Sequence, residues 1–598
     1  MARSAPANTD SGLGVLLATP HNRRVGSIDH RPRLWPVATK LALVAYALSV
    51  WHFNFLVDDA FISFRYGAHL AAGHGLTWNI GEAPPIEGFS DFLWVVLCAA
   101  LKGLDLDPLL WTRIIGIGCG ALLIALVARL VGARAGTGTT RFGAALFAAL
   151  LPPIGVWATG GLETMAFSLA VFGVFERLTF DREAPRTAHA CVWAALAVLL
   201  RADGFVWVGI ALAAALLAWR RERGARLLKS VVVVASFGVA VAAAYFAFRY
   251  AYFGRLEPNT ARIKVAFGSR YFLRGSQYVA SLLLCVVSIP LVLLGALSVA
   301  RRDASGLIVP ALGAFGASCA YLIVLGGDWM MMYRMLVPAL AFVALAFGCW
   351  LGSMRSGLVR MFVGGVCALL TLLPSFDVHL VPRSWRERAH FRWGHAIPAE
   401  PGSASAAQQK SERERIAALE QQPDDATARA ELAQLWRQLE YCSEYAMWRK
   451  GVVDIENWIE VGRALGLHTK PGESMVLGNI GAFGYFAPEL VVYDTQGLTN
   501  TEPLLPVDPD ARTMPGHDRK IEIAGFEKYS PTYYNARIVD AAAPWTILPR
   551  AWLDFDADGA ALGPNETARA KFEFVLAPLD AAKGFRANTL LLLIKHRR

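Results

Sequence analysis

The chain has 598 residues, 55% of them hydrophobic and only 18% charged, with a mean hydropathy of +0.39. That composition excludes an ordinary soluble globular domain and marks a membrane protein. The net charge of +10 does not point to nucleic acid, because Lys and Arg cluster in short segments between apolar runs, as in the positive-inside pattern of multi-spanning proteins.

Residues 1–34 are polar and basic, with no short apolar core before a small-residue cleavage site, so they read as a retained cytoplasmic tail. The first apolar run, 36–57, ends at Asp58 and Asp59. Further runs follow at 109–131, 142–158, 162–178, 188–200, 204–219, 230–253, 276–299, 306–326, 335–352 and 357–373. Lengths near the ~20 residues a helix needs to cross a bilayer give about eleven spans. The stretch 92–104 is short for a crossing and is expected to lie along the membrane or re-enter it. Placing the basic loops 132–141, 181–186, 220–229, 301–303 and 354–360 inside leaves 58–108, 160–163, 201–204, 254–275, 326–334 and everything after 373 outside.

The fold expected is therefore a polytopic α-helical membrane protein, 35–373, carrying a C-terminal extracytoplasmic mixed α/β domain, 374–598. Strands are expected at 474–477, 490–493 and 589–594, and a charged helical insertion at 406–440. Seven of the eight cysteines lie in apolar segments and the soluble part holds only Cys442, so no disulfide framework or zinc site can be built there from within the chain.

The outer loops carry polar groups that a membrane protein keeps at a cost. In DDAFISFRYG, Asp58 and Asp59 open what reads as a short interfacial helix, with Arg65 two turns on. Asp58 as a helix cap and Asp59 as a first-turn anion are the bland alternatives, but adjacent helical side chains diverge by roughly 100°, so one can cap while the other faces a cavity. GGLET supplies Glu163, RADG supplies Arg201 and Asp203, EPNTARIK supplies Asn259, Arg262 and Lys264, and GGDWMMMYR supplies Asp328 and Arg334. Each alone also reads as a loop cap, ion pair or lipid-headgroup anchor. His517, in a turn after Pro515 and Gly516, is a candidate acceptor contact. Aromatic loops such as Tyr529–Tyr534 suit sugar stacking or simple core packing.

Carboxylates beside cations at a membrane face suit a phosphate-bearing lipid donor and a hydroxyl to be deprotonated, which is group transfer. No P-loop GxxxxGK[ST] is present, so the donor is expected to arrive activated and lipid-linked. Two rivals are a lipid-linked sugar transporter, which would place ionisable groups in paired broken helices at mid-span, and a non-catalytic scaffold for envelope assembly.

The run DDAFISFRYGAHLAAGHGLTWNIGE…EGFSDFLW, followed in order by GLET, RADG, PNTARIK, GGDWMMMYR, GNIGAFGYFAPELVVYDTQGLTN and PGHDRK, resembles the GT-C superfamily of polyprenyl-phosphate-sugar glycosyltransferases, and within it the AftB/TfpW-like arabinofuranosyltransferases. RADG departs from the commoner RPEG. The resemblance implies an inverting transfer of arabinofuranose from a decaprenyl-phosphate donor to an extracytoplasmic cell-envelope glycan at a bacterial inner membrane. It implies Asp58 as general base, with Asp59 supporting it or either carboxylate helping to hold a divalent cation. Arg65, Glu163, Arg201, Asp203, Asn259, Lys264, Asp328, Arg334 and His517 are then the expected substrate contacts.

Overall fold

The structure is a computed structural model. It describes most of residues 37–391 and 442–597. Residues 1–36, 392–400, most of 401–441, 501–515 and the short stretches 137, 181–184, 223–224, 265–267, 518, 520, 522, 549–551, 557–560 and 598 lie outside the described set. The expected N-terminal tail and nearly all of the insertion at 406–440 fall there.

Every expected apolar run falls on a helix or a bent helix pair. Among the described residues, five helices are long and apolar enough to cross a membrane, or up to seven if each bent pair counts as one span. The bends, 59° between Gly138–Leu150 and Pro152–Thr159 and 90° between Ser269–Cys285 and Ser288–Arg302, include one at a Pro-Pro step, where two backbone donors are lost. The other runs, Val37–His52, Thr164–Thr179, Thr187–Leu200 and Gly204–Glu222, are helices of 14 to 19 residues. By length alone the count is thus lower than eleven.

The first outer loop opens with the helix Asp58–Ala71. Its apolar face, expected to rest on a bilayer surface, is covered by protein instead. Its residues Ala60–Gly67 are all buried, pressed between Phe92–Gly103 on one side and the C-terminal region on the other. A Cβ at Gly67 would stand 2.7 Å from the Cβ of Cys98, so glycine is what lets these two helices approach. Phe92–Gly103 has 12 residues, too few to cross a bilayer, and Trp94 Nε1 fastens it by donating to the Gly161 carbonyl at 2.9 Å.

The C-terminal region builds a five-stranded sheet in the order β2-β1-β3-β7-β6, from β1 (Ser474–Leu477), β2 (Val491–Asp494), β3 (Tyr533–Asp540), β6 (Phe572–Pro578) and β7 (Thr589–His596). β1 pairs parallel with β2 and β3, while β7 runs antiparallel between β3 and β6. A small hairpin joins β4 (Leu553–Phe555) and β5 (Ala561–Pro564). The run LLLLI in β7 is apolar throughout because both of its faces are covered: Leu591 and Leu593 face one core, Leu592 and Ile594 another. Tyr533 is buried in β3 and packs the domain, whereas Tyr529 stacks on Tyr493 and is 44% exposed. Asn565, within Asn-Glu-Thr, accepts from the Ala568 amide as a helix cap.

The long helix Glu444–His468 carries the sheet against the membrane helices. Met447, Trp448 and Ile455 join the membrane-side core, and Val461, Ala464 and Leu465 join the sheet core. Trp35 to Arg598 forms one compact unit.

Candidate functional site

Where the loops that carry these polar stretches meet the C-terminal region there is a cavity of about 220 Å³. Its wall takes polar side chains from separate stretches of chain: Asp59 and Ser63, Asp91, Arg201 and Asp203, Lys264, and Asp328 with Arg334.

Asp58 and Asp59 diverge as neighbouring helical residues do. Asp59 faces the cavity, its carboxylate 3.6 Å from Lys264 Nζ. Asp58 faces the other way. Its two oxygens accept the backbone amides of Ala482 at 2.8 Å and Gly481 at 3.0 Å. Burial pushes its pKa up to about 7, the two amides pulling it down and Asp59 adding to the rise. Asp58 does not cap its own helix, since Val57 precedes the helix with no side-chain cap; its carboxylate, the expected base, bonds the C-terminal region.

Arg65, another expected substrate contact, also bonds the backbone. It is 1% exposed and lies outside the cavity wall. Its guanidinium donates to the carbonyls of Trp78 (2.8 Å), Ala487 (3.3 Å) and Leu490 (2.9 Å), and to that of Gly484, while its plane covers the Trp78 ring.

Glu163 sits behind the wall and organises the two guanidiniums that line it. Arg334 donates to both its oxygens, at 2.9 and 3.0 Å, and Arg201 stands 3.6 Å away. Arg201 also pairs with Asp203 at 2.9 Å, and Asp203 accepts from Trp207 Nε1 and the Tyr321 hydroxyl. Burial would raise the Asp203 carboxyl, but Arg201 and these donors outweigh it and hold the group below the usual carboxylate range.

Asn259 does not line this cavity. Its amide donates to the carbonyls of Gly497 (2.7 Å), Leu498 (2.8 Å) and Asn500 (3.0 Å), tethering the segment that places Leu498 on the cavity wall. Five residues on, Lys264 reaches that wall. His517 meets the edge of Trp329, ring centroids 5.1 Å apart, and does not line the cavity.

Asp328 and Arg334 bracket an unusual turn. Gly326 and Gly327 have φ of +84° and +76°, and Met332 and Tyr333, which have side chains, hold φ of +52° and +53°. Left-handed non-glycine residues persist only where the surroundings over-determine them. Here Met332 N donates to Glu444 at 2.6 Å, Met331 O accepts from Trp157 Nε1 at 3.1 Å, and the Tyr333 hydroxyl bonds Ser281 at 2.9 Å.

Sequence reasoning assigned no role to Asp91, Ser63 or Tyr321. Asp91 takes a 2.7 Å bond from the Ser63 hydroxyl. Burial pushes its pKa to about 7, with Glu163 adding to the rise and Ser63 and Arg334 opposing it. The signal was present in EGFSD, whose Glu87 pairs with the buried Arg249 at 2.9 Å and so fixes the loop that carries Asp91. As to a metal, the Asp58 oxygens are taken by amides and a lysine stands beside Asp59. Among the described residues no group of three or more His, Cys, Asp or Glu is placed to hold a cation.

A second cavity, about 660 Å³, adjoins the first through Ala202, Asp203, Pro258, Ala261 and Tyr321. Its remaining wall is largely apolar and aromatic, with Phe205, Val206, Phe246, Tyr250 and Leu256, and Arg249 and Arg255 at its polar side.

Residues 444–572 match a family described as a domain of unknown function, DUF8728. The terminal β-(1→2)-arabinofuranosyltransferase of Mycobacterium tuberculosis (strain ATCC 25618 / H37Rv) is 28% identical over 310 residues, which are 46% of this chain and 46% of that one. The match thus spans about half the length of that relative. The crystal structure of ArnT from Cupriavidus metallidurans bound to undecaprenyl phosphate aligns over 93% of this chain and 97% of that one, with a TM-score of 0.50 and 13% identity. The apo state of the same protein aligns over the same shares at 0.48 and 14% identity. The chain is a multi-pass membrane protein with the GT-C fold of ArnT.

Proposed function

We propose that the protein is an inverting glycosyltransferase that moves a sugar, arabinofuranose by its likeness to a terminal arabinofuranosyltransferase, from a polyprenyl phosphate to a hydroxyl of a cell-envelope glycan on the outer side of a bacterial inner membrane. The observation that carries this reading is the pairing of Asp59 with Lys264 across a cavity that also holds Arg201 and Arg334. Asp59, rather than Asp58, is then the general base. It takes the proton of the acceptor hydroxyl as that oxygen forms its bond to the anomeric carbon. The bond from the anomeric carbon to the phosphate oxygen breaks on the opposite side, and the electron pair leaves with the polyprenyl phosphate. Lys264 and the two arginines offset the charge that grows on it.

The adjoining apolar cavity offers the first isoprene units a path toward the lipid, with the phosphate near Lys264. ArnT, which shares the fold, was crystallised with undecaprenyl phosphate, which supports a donor of that class. Asp328 and Asp91 complete the wall and are the remaining candidates for sugar-hydroxyl contacts.

The test is transfer by the purified protein from synthetic polyprenyl-phosphate-arabinofuranose to an arabinan oligosaccharide, beside donors carrying other sugars. Extension of the acceptor is expected. Inertness toward every donor and acceptor pair overturns the reading in favour of a carrier or scaffold.

A further inference from the structure

Three of the outer segments that supply cavity residues are bonded to the C-terminal region within a few positions of the residue they supply. Asp58, which holds the Gly481 and Ala482 amides, adjoins Asp59. Asn259, which holds three carbonyls of 497–500, precedes Lys264 by little more than a helical turn. Met332, whose amide is held by Glu444, stands two residues before Arg334.

The first tie is the most developed. The helix Gly481–Phe486 of the C-terminal region is gripped at both ends by Asp58–Ala71. Asp58 takes amides at its start, and Arg65 takes the carbonyls of Gly484, Ala487 and Leu490 at and beyond its end. The grip is close: a Cβ at Gly481 would fall 2.0 Å from the Asp58 carbonyl oxygen and 2.9 Å from its carboxyl carbon. Rotation of Asp58–Ala71 about its axis would break both ends of the grip and carry Asp59 away from Lys264.

We infer that Asp58 is a positioning residue: the clamp it forms with Arg65 on Gly481–Phe486 sets the direction of Asp59, so that the C-terminal region assembles the reaction site instead of merely covering it. The inference rests on the glycosyltransferase reading, in which Asp59 is the base. A small misplacement of a reacting group can cost on the order of a hundredfold in rate.

The experiment compares wild type with Asp58→Ala, Asp58→Asn, Gly481→Ala and the Asp58→Ala/Gly481→Ala double variant. It reads kcat and donor KM across pH, and amide hydrogen exchange of the peptide spanning 481–486. Expected are a fall in kcat of about 10- to 100-fold with donor KM within about twofold, a retained acidic limb of the kcat profile, and faster exchange at 481–486. The double variant should lose less than the product of the two single losses, because both disturb one clamp. Loss of the acidic limb with exchange unchanged would make Asp58 the base itself and overturn the inference, as would full activity in Asp58→Ala. If the wild type transfers no sugar, the functional reading fails, yet exchange still decides the clamp: protection at 481–486 that ignores Asp58 overturns it.

Discussion

Replacing Arg65 by methionine tests the docking of the C-terminal region most severely. The methionine keeps part of the apolar stem but none of the donors. Four backbone carbonyls, those of Trp78, Gly484, Ala487 and Leu490, lose their partner in a site that is 1% exposed. At about 1 kcal/mol net for each hydrogen bond, and about 1 to 2 kcal/mol for the desolvated guanidinium over the Trp78 ring, the loss is about 5 kcal/mol. That is a large fraction of the roughly 5–15 kcal/mol that holds a typical domain folded. Local opening over 484–490 should then become more frequent by about three orders of magnitude, at 1.4 kcal/mol per factor of ten. Hydrogen exchange of the detergent-solubilised protein, read peptide by peptide, measures this directly. Exchange that accelerates less than about tenfold would refute the reasoning. Unchanged exchange with a raised donor KM would return Arg65 to the substrate.

Lys264→Met should raise the donor KM by about tenfold or more, the worth of one charge-assisted contact to a phosphate, in steady-state transfer assays; an unchanged KM would remove Lys264 from the donor site. Asn259→Ala strands the carbonyls of Gly497, Leu498 and Asn500 and should destabilise the protein by about 2 kcal/mol, seen as a lower unfolding midpoint. Asp58, Asp91 and Asp494 are each pushed by burial to about 7 from 3.8. In that window the folded chain holds protons the unfolded chain has lost, so the stability these three carboxyls contribute is fully present below about pH 4 and is lost as pH rises through 7. Urea midpoints at pH 5 and pH 8 check the sign, and a midpoint higher at pH 8 contradicts it.

Much of the architecture is legible in the sequence because the bilayer imposes a length and a hydropathy that short-range reading detects. Strands β1, β2 and β7 are also visible as apolar β-branched or leucine runs. β3, YYNARIVD, and β6, FEFVLAP, are not: their charged residues break the pattern where one face is only half covered. The polar stretches of the outer loops announce a common site, and Asp59, Lys264, Arg201, Asp203, Asp328 and Arg334 do meet in one cavity. What the Asp58 carboxylate bonds was illegible, because its partners lie 423 and 424 residues downstream. Arg65 and Asn259 likewise bond carbonyls far along the chain. A cation and an amide in outer loops look like ligand groups until the backbone carbonyls they satisfy come into view. The turn at Met332 and Tyr333 had no signal either, since its left-handed residues are not glycines.

The most direct test of the central claim is the transfer rate of Asp59→Asn under single-turnover conditions with saturating donor, beside wild type and Asp58→Asn. Loss of a positioned base predicts a fall of at least about a hundredfold for Asp59→Asn, with donor binding preserved and the acidic limb of the pH profile gone. An Asp59→Asn protein that transfers sugar at close to the wild-type rate would contradict the account.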